Sequence, residues 1–200
     1  MHSLIQCGDE LATAIRWVGT GGQGVVFAGM VLAKAAALYE KREGQGLFVN
    51  QTQSYGPAVR GDIIACDVVI SENSAFYPFV EIPDYLIVMS QLAYEKFIGQ
   101  TGNVTTFILD EDAVESRPDR THYGIPALRR AEEMGRSGSA NMIMLGALIG
   151  ISRLLSEGSV LQAIANASPS STGEINRKAF SEGMSIGRAI IESKMKEGSG

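Results

Sequence analysis

In the first two thirds of the chain, hydrophobic residues come in short runs between glycine, proline and charged clusters; in the last third they form helix-spaced faces. The run at 15–18 ends at Val18 and predicts a strand; a glycine cluster follows it directly. Beyond that cluster, Val25, Val26, Ala28, Gly29, Leu32, Ala33, Ala36 and Ala37 make a broad apolar face at helical spacing. Small residues on that face let the helix pack close to a sheet. The patch Glu40-Lys41-Arg42-Glu43 before Gly44 ends the helix. Leu47-Phe48-Val49 then reads as a second strand, so the opening segment predicts a βαβ unit with a parallel sheet.

Residues 54–61 read as a loop of turn formers around one aromatic and one arginine. Residues 63–70 read as a strand, in one piece or two. Tyr77-Pro78 and Ile82-Pro83 bracket a connection where helix is disfavoured. Further strands are predicted at 85–89 and 104–109, the latter closed by Asp110, with a short helix at 92–98 between them. Helices follow from Pro126 through Met134, over 141–151, over 160–165 capped by Ser159 or Ser156, and over 174–195. Residues 1–13 show no clear period, although Leu4-Ile5 could belong to a packed tail. The expectation is one α/β domain over 1–200: a Rossmann-like, mostly parallel sheet with flanking helices and a helical C-terminal part over about 126–195.

The chemistry centres on the glycine cluster. Gly19, Gly21 and Gly24 fit G-x-G-x-x-G between a strand and a helix, the context in which that spacing carries information. Gly22 is a position where positive φ is expected. A helix starting near Gln23 aims its free N–H groups at the turn, which favours an anion such as a phosphate. Against NAD, the residues after the second strand are Asn50-Gln51-Thr52-Gln53, with no acid to hold a ribose. Ser90 and Gln91 sit at the carboxyl end of the 85–89 strand, where open α/β sheets place ligands.

Composition narrows the classes. The chain is 45% hydrophobic and 20% charged with 23 glycines, which fits a folded globular protein rather than a disordered one. A net charge of −5 argues against a nucleic-acid groove. No apolar run reaches the roughly 18 residues of a membrane span. The start of the chain lacks a signal-peptide pattern, so a cytoplasmic location is expected. Cys7, Cys66, His2 and His122 are the only cysteines and histidines. They assemble neither a four-thiolate iron–sulfur site nor a structural zinc site, and no metal site is expected.

Five blocks recur in this order in one family: Gly19-Thr20-Gly21-Gly22-Gln23-Gly24; Gln51-Thr52-Gln53-Ser54-Tyr55-Gly56-Pro57 with Arg60-Gly61; Ser90-Gln91 with Ala93-Tyr94; Asn141-Met142 with Met144-Leu145-Gly146; and Asn176 with Lys178-Ala179-Phe180, Glu182 and Gly183. The sequence resembles the gamma subunit of the 2-oxoacid:ferredoxin (acceptor) oxidoreductases, from about Ile15 to Gly187. That resemblance implies a complex converting a 2-oxoacid, coenzyme A and an oxidised acceptor into acyl-CoA, carbon dioxide and reduced acceptor. It places thiamine diphosphate, magnesium and iron–sulfur clusters in alpha, beta and ferredoxin-like delta partner subunits, with ferredoxin as acceptor. The block Gln51–Tyr55 leans towards the 2-oxoglutarate branch. The family loop often reads Y-G-P-E-x-R-G-G, where Ala58 and Asp62 depart from it.

No nucleophile–base pair stands out, so no catalytic residue is assigned. Candidate ligand contacts, coenzyme A foremost, are Gly19, Gly21, Gly22, Gln23, Gly24, Ser54, Tyr55, Arg60, Ser90 and Gln91. Each has a structural reading beside it. The glycines could serve packing alone; Arg60 could pair with Asp62 or Asp67, Tyr55 could pack its loop, and Ser90-Gln91 could cap the next helix. Asn141 reads first as a helix cap, and Met142, Met144 and Leu145 as core. Two other functions stay open: a free-standing Rossmann-type NAD(P)-binding protein, and an assembly subunit that binds no ligand.

Overall fold

The computed structural model describes residues 12–42, 44–55, 62–73, 79–117 and 121–197. Six strands form one sheet in the order β2-β3-β1-β4-β5-β6. They are β1 (Ala12–Thr20), β2 (Phe48–Tyr55), β3 (Ile63–Ser71), β4 (Tyr85–Val88), β5 (Thr106–Asp110) and β6 (His122–Ile125). The helices are α1 (Val25–Lys34), extended by a wide turn over Ala35–Tyr39, then α2 (Gln91–Phe97), α3 (Ala127–Glu133), α4 (Ala140–Ser152), α5 (Glu157–Ala167) and α6 (Gly173–Glu197). The expected α/β architecture with a helical final third is present; β6 had no counterpart in the sequence reading.

β1, β4, β5 and β6 pair in parallel. The expected side-by-side pairing of β1 with β2 does not form. Instead β3 lies between them, antiparallel to both, in register from Ala12↔Ser71 to Thr20↔Ile63 and from Phe48↔Ser71 to Tyr55↔Ile64. Burial explains this order. β3 carries Ala65, Cys66, Val68, Val69 and Ile70, which are buried on both faces, so it belongs inside the sheet. β2 runs Phe-Val-Asn-Gln-Thr-Gln-Ser-Tyr, a polar sequence that tolerates the edge. Ser54 and Tyr55 therefore end a strand rather than open a loop. Residues 56–61, including Arg60, lie outside the described residues, as does the 1–11 segment.

The two faces are covered differently. Ile15, Trp17, Cys66 and Ile87 point into the core shared with α1 and α4, whereas Val18, Leu86 and Val88 pack with Tyr94 and Phe97 of α2. α4 is buried from Ala140 through Gly150, as expected of a helix that is apolar all round. It packs against α1 and α3 and is covered by α6. α5 is capped by Ser156, whose Oγ accepts the Ser159 N–H at 3.3 Å. The Glu40 carboxylate accepts from the Ser156 N–H and Oγ, which ties the end of the α1 extension to α5.

Asp110 ends β5 and is 2% exposed. Its Oδ1 accepts from the Leu128 and Asp112 N–H groups, each at 3.3 Å, fixing the start of α3 to the strand. Burial outweighs these bonds and pushes its carboxyl up to about 6. A carboxyl raised on folding contributes stability that is complete below the unfolded value, about 4, and is lost as pH rises through about 6. Asp110→Asn keeps an oxygen for both N–H groups and removes the charge. The variant should gain about 2 kcal/mol over wild type at pH 8 and little at pH 4.5, read as urea midpoints at the two pH values.

Candidate functional site

β1 and β4 are neighbours whose following helices leave for opposite faces of the sheet, α1 into one core and α2 into the other. That makes the gap between their carboxyl ends a topological switch point, where open α/β sheets bind ligands. The glycine turn and Ser90-Gln91, separated in sequence, meet there: the Met89 N–H donates to Val18 O at 3.0 Å.

Gln23 closes this gap with its own side chain. Its Oε1 accepts from the Thr20 N–H at 2.7 Å and from Thr20 Oγ1 at 3.1 Å, and its Nε2 donates to Met89 O at 2.6 Å. A Cβ on Gly19 would lie 2.6 Å from the same Gln23 Oε1 and 2.9 Å from Val25 Cγ2. Gly19 is therefore needed for packing within the chain. The Gly21 N–H donates to Asp62 O at 3.1 Å, which anchors the turn to the start of β3.

α1 starts at Val25, with Gly24 as its N-cap at φ +74 and no side chain accepting from its first turn. Asn141 neither caps α4 nor points outward from the fold. Its Nδ2 donates to Gly24 O at 3.1 Å, holding the turn from the far side. A Cβ on Gly24 would overlap that amide. Gly22 differs: its φ is +95, yet nothing lies within 4 Å of where its Cβ would be. Gly22→Val should therefore cost on the order of 1–3 kcal/mol from backbone strain alone, and Gly22→Asn clearly less, because Asn tolerates the left-handed region. Thermal melts of the two variants decide this; equal losses would place a steric partner at the position.

Ser90 caps α2, its Oγ accepting the Ala93 N–H at 3.3 Å. Gln91 braces the loop after β5: its Oε1 accepts the Glu115 N–H at 2.8 Å and its Nε2 reaches Glu95 Oε1 at 3.2 Å. For both residues the structural reading accounts for the contacts made. Ser54 is exposed on the β2 edge. Tyr55 ends the same strand, and its side chain, like Arg60, lies outside what is described. Asp67, one of the two acids considered for Arg60, is engaged by Arg16 Nε and Nη2, each at 2.8 Å.

The expected absence of an acid after the second strand also changes meaning, because Asn50–Gln53 lie within β2. What opposes a dinucleotide is the order of strands. With β3 interposed, the end of β2 is displaced from the glycine turn by one more strand spacing, about 4.8 Å.

Sequence reasoning missed a cavity of about 220 Å³ beside the turn, lined by Gly24, Phe27, Arg136, Gly138, Asn141, Pro169, Thr172 and Asn176. A larger open groove, about 880 Å³, runs between Met134, α5 and α6 and shares no lining residue with the turn or the strand ends. Cys66, in the core, has its thiol pushed up to about 11 by burial, which suits packing rather than ligation. Among the described residues no group of three or more His, Cys, Asp or Glu is placed to hold a metal, and no helix is long and apolar enough to cross a membrane.

The fold is an open α/β sheet with its glycine turn at the switch point between β1 and β4. The chain belongs to the pyruvate ferredoxin/flavodoxin oxidoreductase family, whose family model matches residues 14–186. Within it, the chain is of the gamma-subunit type and on the 2-oxoglutarate branch. It is 39% identical over 186 residues to the 2-oxoglutarate synthase subunit KorC of Methanocaldococcus jannaschii, covering 90% of this chain and 97% of that one. The crystal structure of a keto/oxoacid ferredoxin oxidoreductase gamma subunit from Geobacter sulfurreducens matches with TM-score 0.73 at 30% identity, over 88% of this chain and 99% of that one. A 2-oxoglutarate:ferredoxin oxidoreductase from Magnetococcus marinus, solved with 2-oxoglutarate, coenzyme A and succinyl-CoA bound, shares the fold with TM-score 0.76 at 24% identity, over 89% of this chain and 31% of that one.

Proposed function

We propose that this chain is the gamma subunit of a 2-oxoglutarate:ferredoxin oxidoreductase, a cytoplasmic complex. The assembly converts 2-oxoglutarate, coenzyme A and two oxidised ferredoxins into succinyl-CoA, carbon dioxide, a proton and two reduced ferredoxins. Thiamine diphosphate, magnesium and the iron–sulfur clusters sit in alpha, beta and delta partners. The observation that carries the reading is the likeness to a 2-oxoglutarate synthase subunit along 97% of that subunit's length. The local chemistry agrees: Gln23, Ser90, Gln91 and Asp110, at the carboxyl ends of the strands, are all engaged in structural hydrogen bonds. This chain supplies shape and ligand contact rather than acid–base chemistry, and coenzyme A is the ligand it touches, from the glycine turn and the 54–61 segment.

A second reading has one observation behind it. Gln23 fills the switch point itself, which favours a subunit that organises its partners without binding a ligand there. Reconstitution separates the two. With the partner subunits, 2-oxoglutarate- and coenzyme A-dependent reduction of a viologen dye should require this chain and should fall by at least about tenfold with pyruvate. Equal turnover without this chain would remove the subunit reading. An unchanged Michaelis constant for coenzyme A in Gly22→Val and Arg60→Gln complexes of normal composition would favour the assembly reading.

A further inference from the structure

The two edges of the sheet are built differently. β6 is four residues long, and Lys194 of α6 lies over its Tyr123, 4.2 Å from the ring centre. A short strand with a lysine beside it is one way an edge is kept from pairing. β2 has neither protection. It is eight residues long, and Phe-Val-Asn-Gln-Thr-Gln-Ser-Tyr contains no charge and no proline. Its register with β3 runs without a bulge from Phe48↔Ser71 to Tyr55↔Ile64. Antiparallel pairing with β3 engages the backbone groups of alternate residues. The other N–H and C=O groups of β2 point away from the sheet, with no strand beyond them among the described residues. The exposed Phe48 begins this row, and the exposed Leu38 lies in the wide turn that bonds to Leu47, so apolar surface adjoins it.

The side chains specify what this row fits. A partner recognised by charge has nothing to pair with on an uncharged strand. Asn, Gln, Thr and Ser each donate and accept, so they pair well with copies of themselves. Symmetry then sets the register. A two-fold axis perpendicular to the sheet runs two copies of β2 antiparallel and keeps α1 on the same side in both. Opposed residues share a face, so their numbers share parity. Two such registers lie nearest the middle of the strand. The one centred on Gln51 sets Phe48 against Ser54 and Val49 against Gln53, apolar against polar. The one centred on Thr52 sets Asn50 against Ser54, Gln51 against Gln53 and Thr52 against itself, polar against polar throughout. Gln51 gives its Nε2 to Cys66 Sγ at 3.3 Å, which leaves its Oε1 to accept from the Gln53 amide opposite.

We propose that β2 pairs with β2 of a second copy of this chain, antiparallel about a two-fold axis at Thr52, joining the two sheets into one. The contact does not rest on the subunit reading, because its test needs only the full chain. Within the proposed complex it links two gamma subunits.

Sedimentation of the full chain at about 100 μM, above the micromolar range of a small interface, should give a dimer. Thr52→Lys and Thr52→Glu each set like charges face to face on the axis, so each alone should dimerise at least about tenfold more weakly. An equimolar mixture of the two should dimerise again, which a mere loss of folding would not allow. Cross-linking reads the register, in a Cys7→Ser background with Cys66 buried. Thr52→Cys brings two Cα atoms to about 4.5–5.5 Å, within disulfide reach, and should cross-link on mild oxidation. Asn50→Cys leaves its two thiols four residues apart along the strands, about 13 Å, and should not. A monomer at that concentration, a dimer untouched by both charge variants, or equal cross-linking at the two positions would overturn the proposal. A chain that is monomeric alone, but whose assembly with partner subunits is blocked by Thr52→Lys, would show that the edge takes another protein's strand and that self-pairing is wrong.

Discussion

Gly183→Ala should lower the melting temperature by roughly 4–8 °C, although alanine is the better helix former. Gly183 lies in the middle of α6, where that helix crosses α4. A Cβ there would overlap the Ile143 carbonyl oxygen and lie 2.7 Å from its carbon and 2.9 Å from its Cα. On the opposing helix, a Cβ on Gly146 would lie 2.6 Å from Met184 N. These neighbours are backbone, so no side chain can rotate aside and the helices themselves must separate. Separation strips packing from a helix buried along nearly its whole length. The cost is on the order of 3 kcal/mol, against about 1 kcal/mol of propensity gained, so the clash decides the sign. Gly158→Ala, on the exposed first turn of α5 with nothing within 4 Å, supplies the control and should stabilise slightly. If both variants melt alike, α4 and α6 do not approach as closely as described.

Part of that seam was legible. Gly146 and Gly150 are four apart, as are Gly183 and Gly187, and such spacing puts small residues on one helix face. The sequence reading placed both helices but left the partner of each face open, since periodicity reports which side is apolar and not what covers it. The same limit explains the sheet. The run at 63–70 reads as a buried strand, and it is one; its insertion between β1 and β2 depends on which neighbours offer the longest ladder. The glycine turn and Ser90-Gln91 were found because each is local. Their meeting at one switch point, and the discovery that Gln23 closes it, depend on a bond across 66 residues. Asn141 shows the cost of local reasoning most clearly. A polar residue at a helix start reads as a cap, but its partner, Gly24, is 117 residues away. The neighbouring cavity is built by three chain segments and had no signature within any one of them.

Removing Asp67 should destabilise the chain by about 3–5 kcal/mol, and removing Arg16 along with it should restore most of that loss. Arg16, on β1, is 8% exposed and holds Asp67 of β3 through two bonds of 2.8 Å. Its Nη2 also donates to Val80 O, fastening the segment before β4 over the sheet, and its guanidinium lies 5.6 Å from the centre of the Phe97 ring. Asp67→Ala leaves this guanidinium in a dry site with no counter-charge. It cannot escape by losing its proton, so the loss should be nearly independent of pH. Arg16→Met leaves the opposite problem, a lone carboxylate, and a carboxylate can take up a proton. The sign therefore differs between the two variants: the penalty of Arg16→Met should shrink as pH falls from 8 to 5, while that of Asp67→Ala should hold. In the double variant Arg16→Met with Asp67→Ala no charge remains to be desolvated, and only the bond to Val80 O and some shape are lost. Urea unfolding of the four proteins at both pH values gives the coupling energy directly. A coupling below about 1 kcal/mol, or parallel pH behaviour of the two single variants, would mean that the pair is solvated and that other contacts hold β1 to β3 on this face.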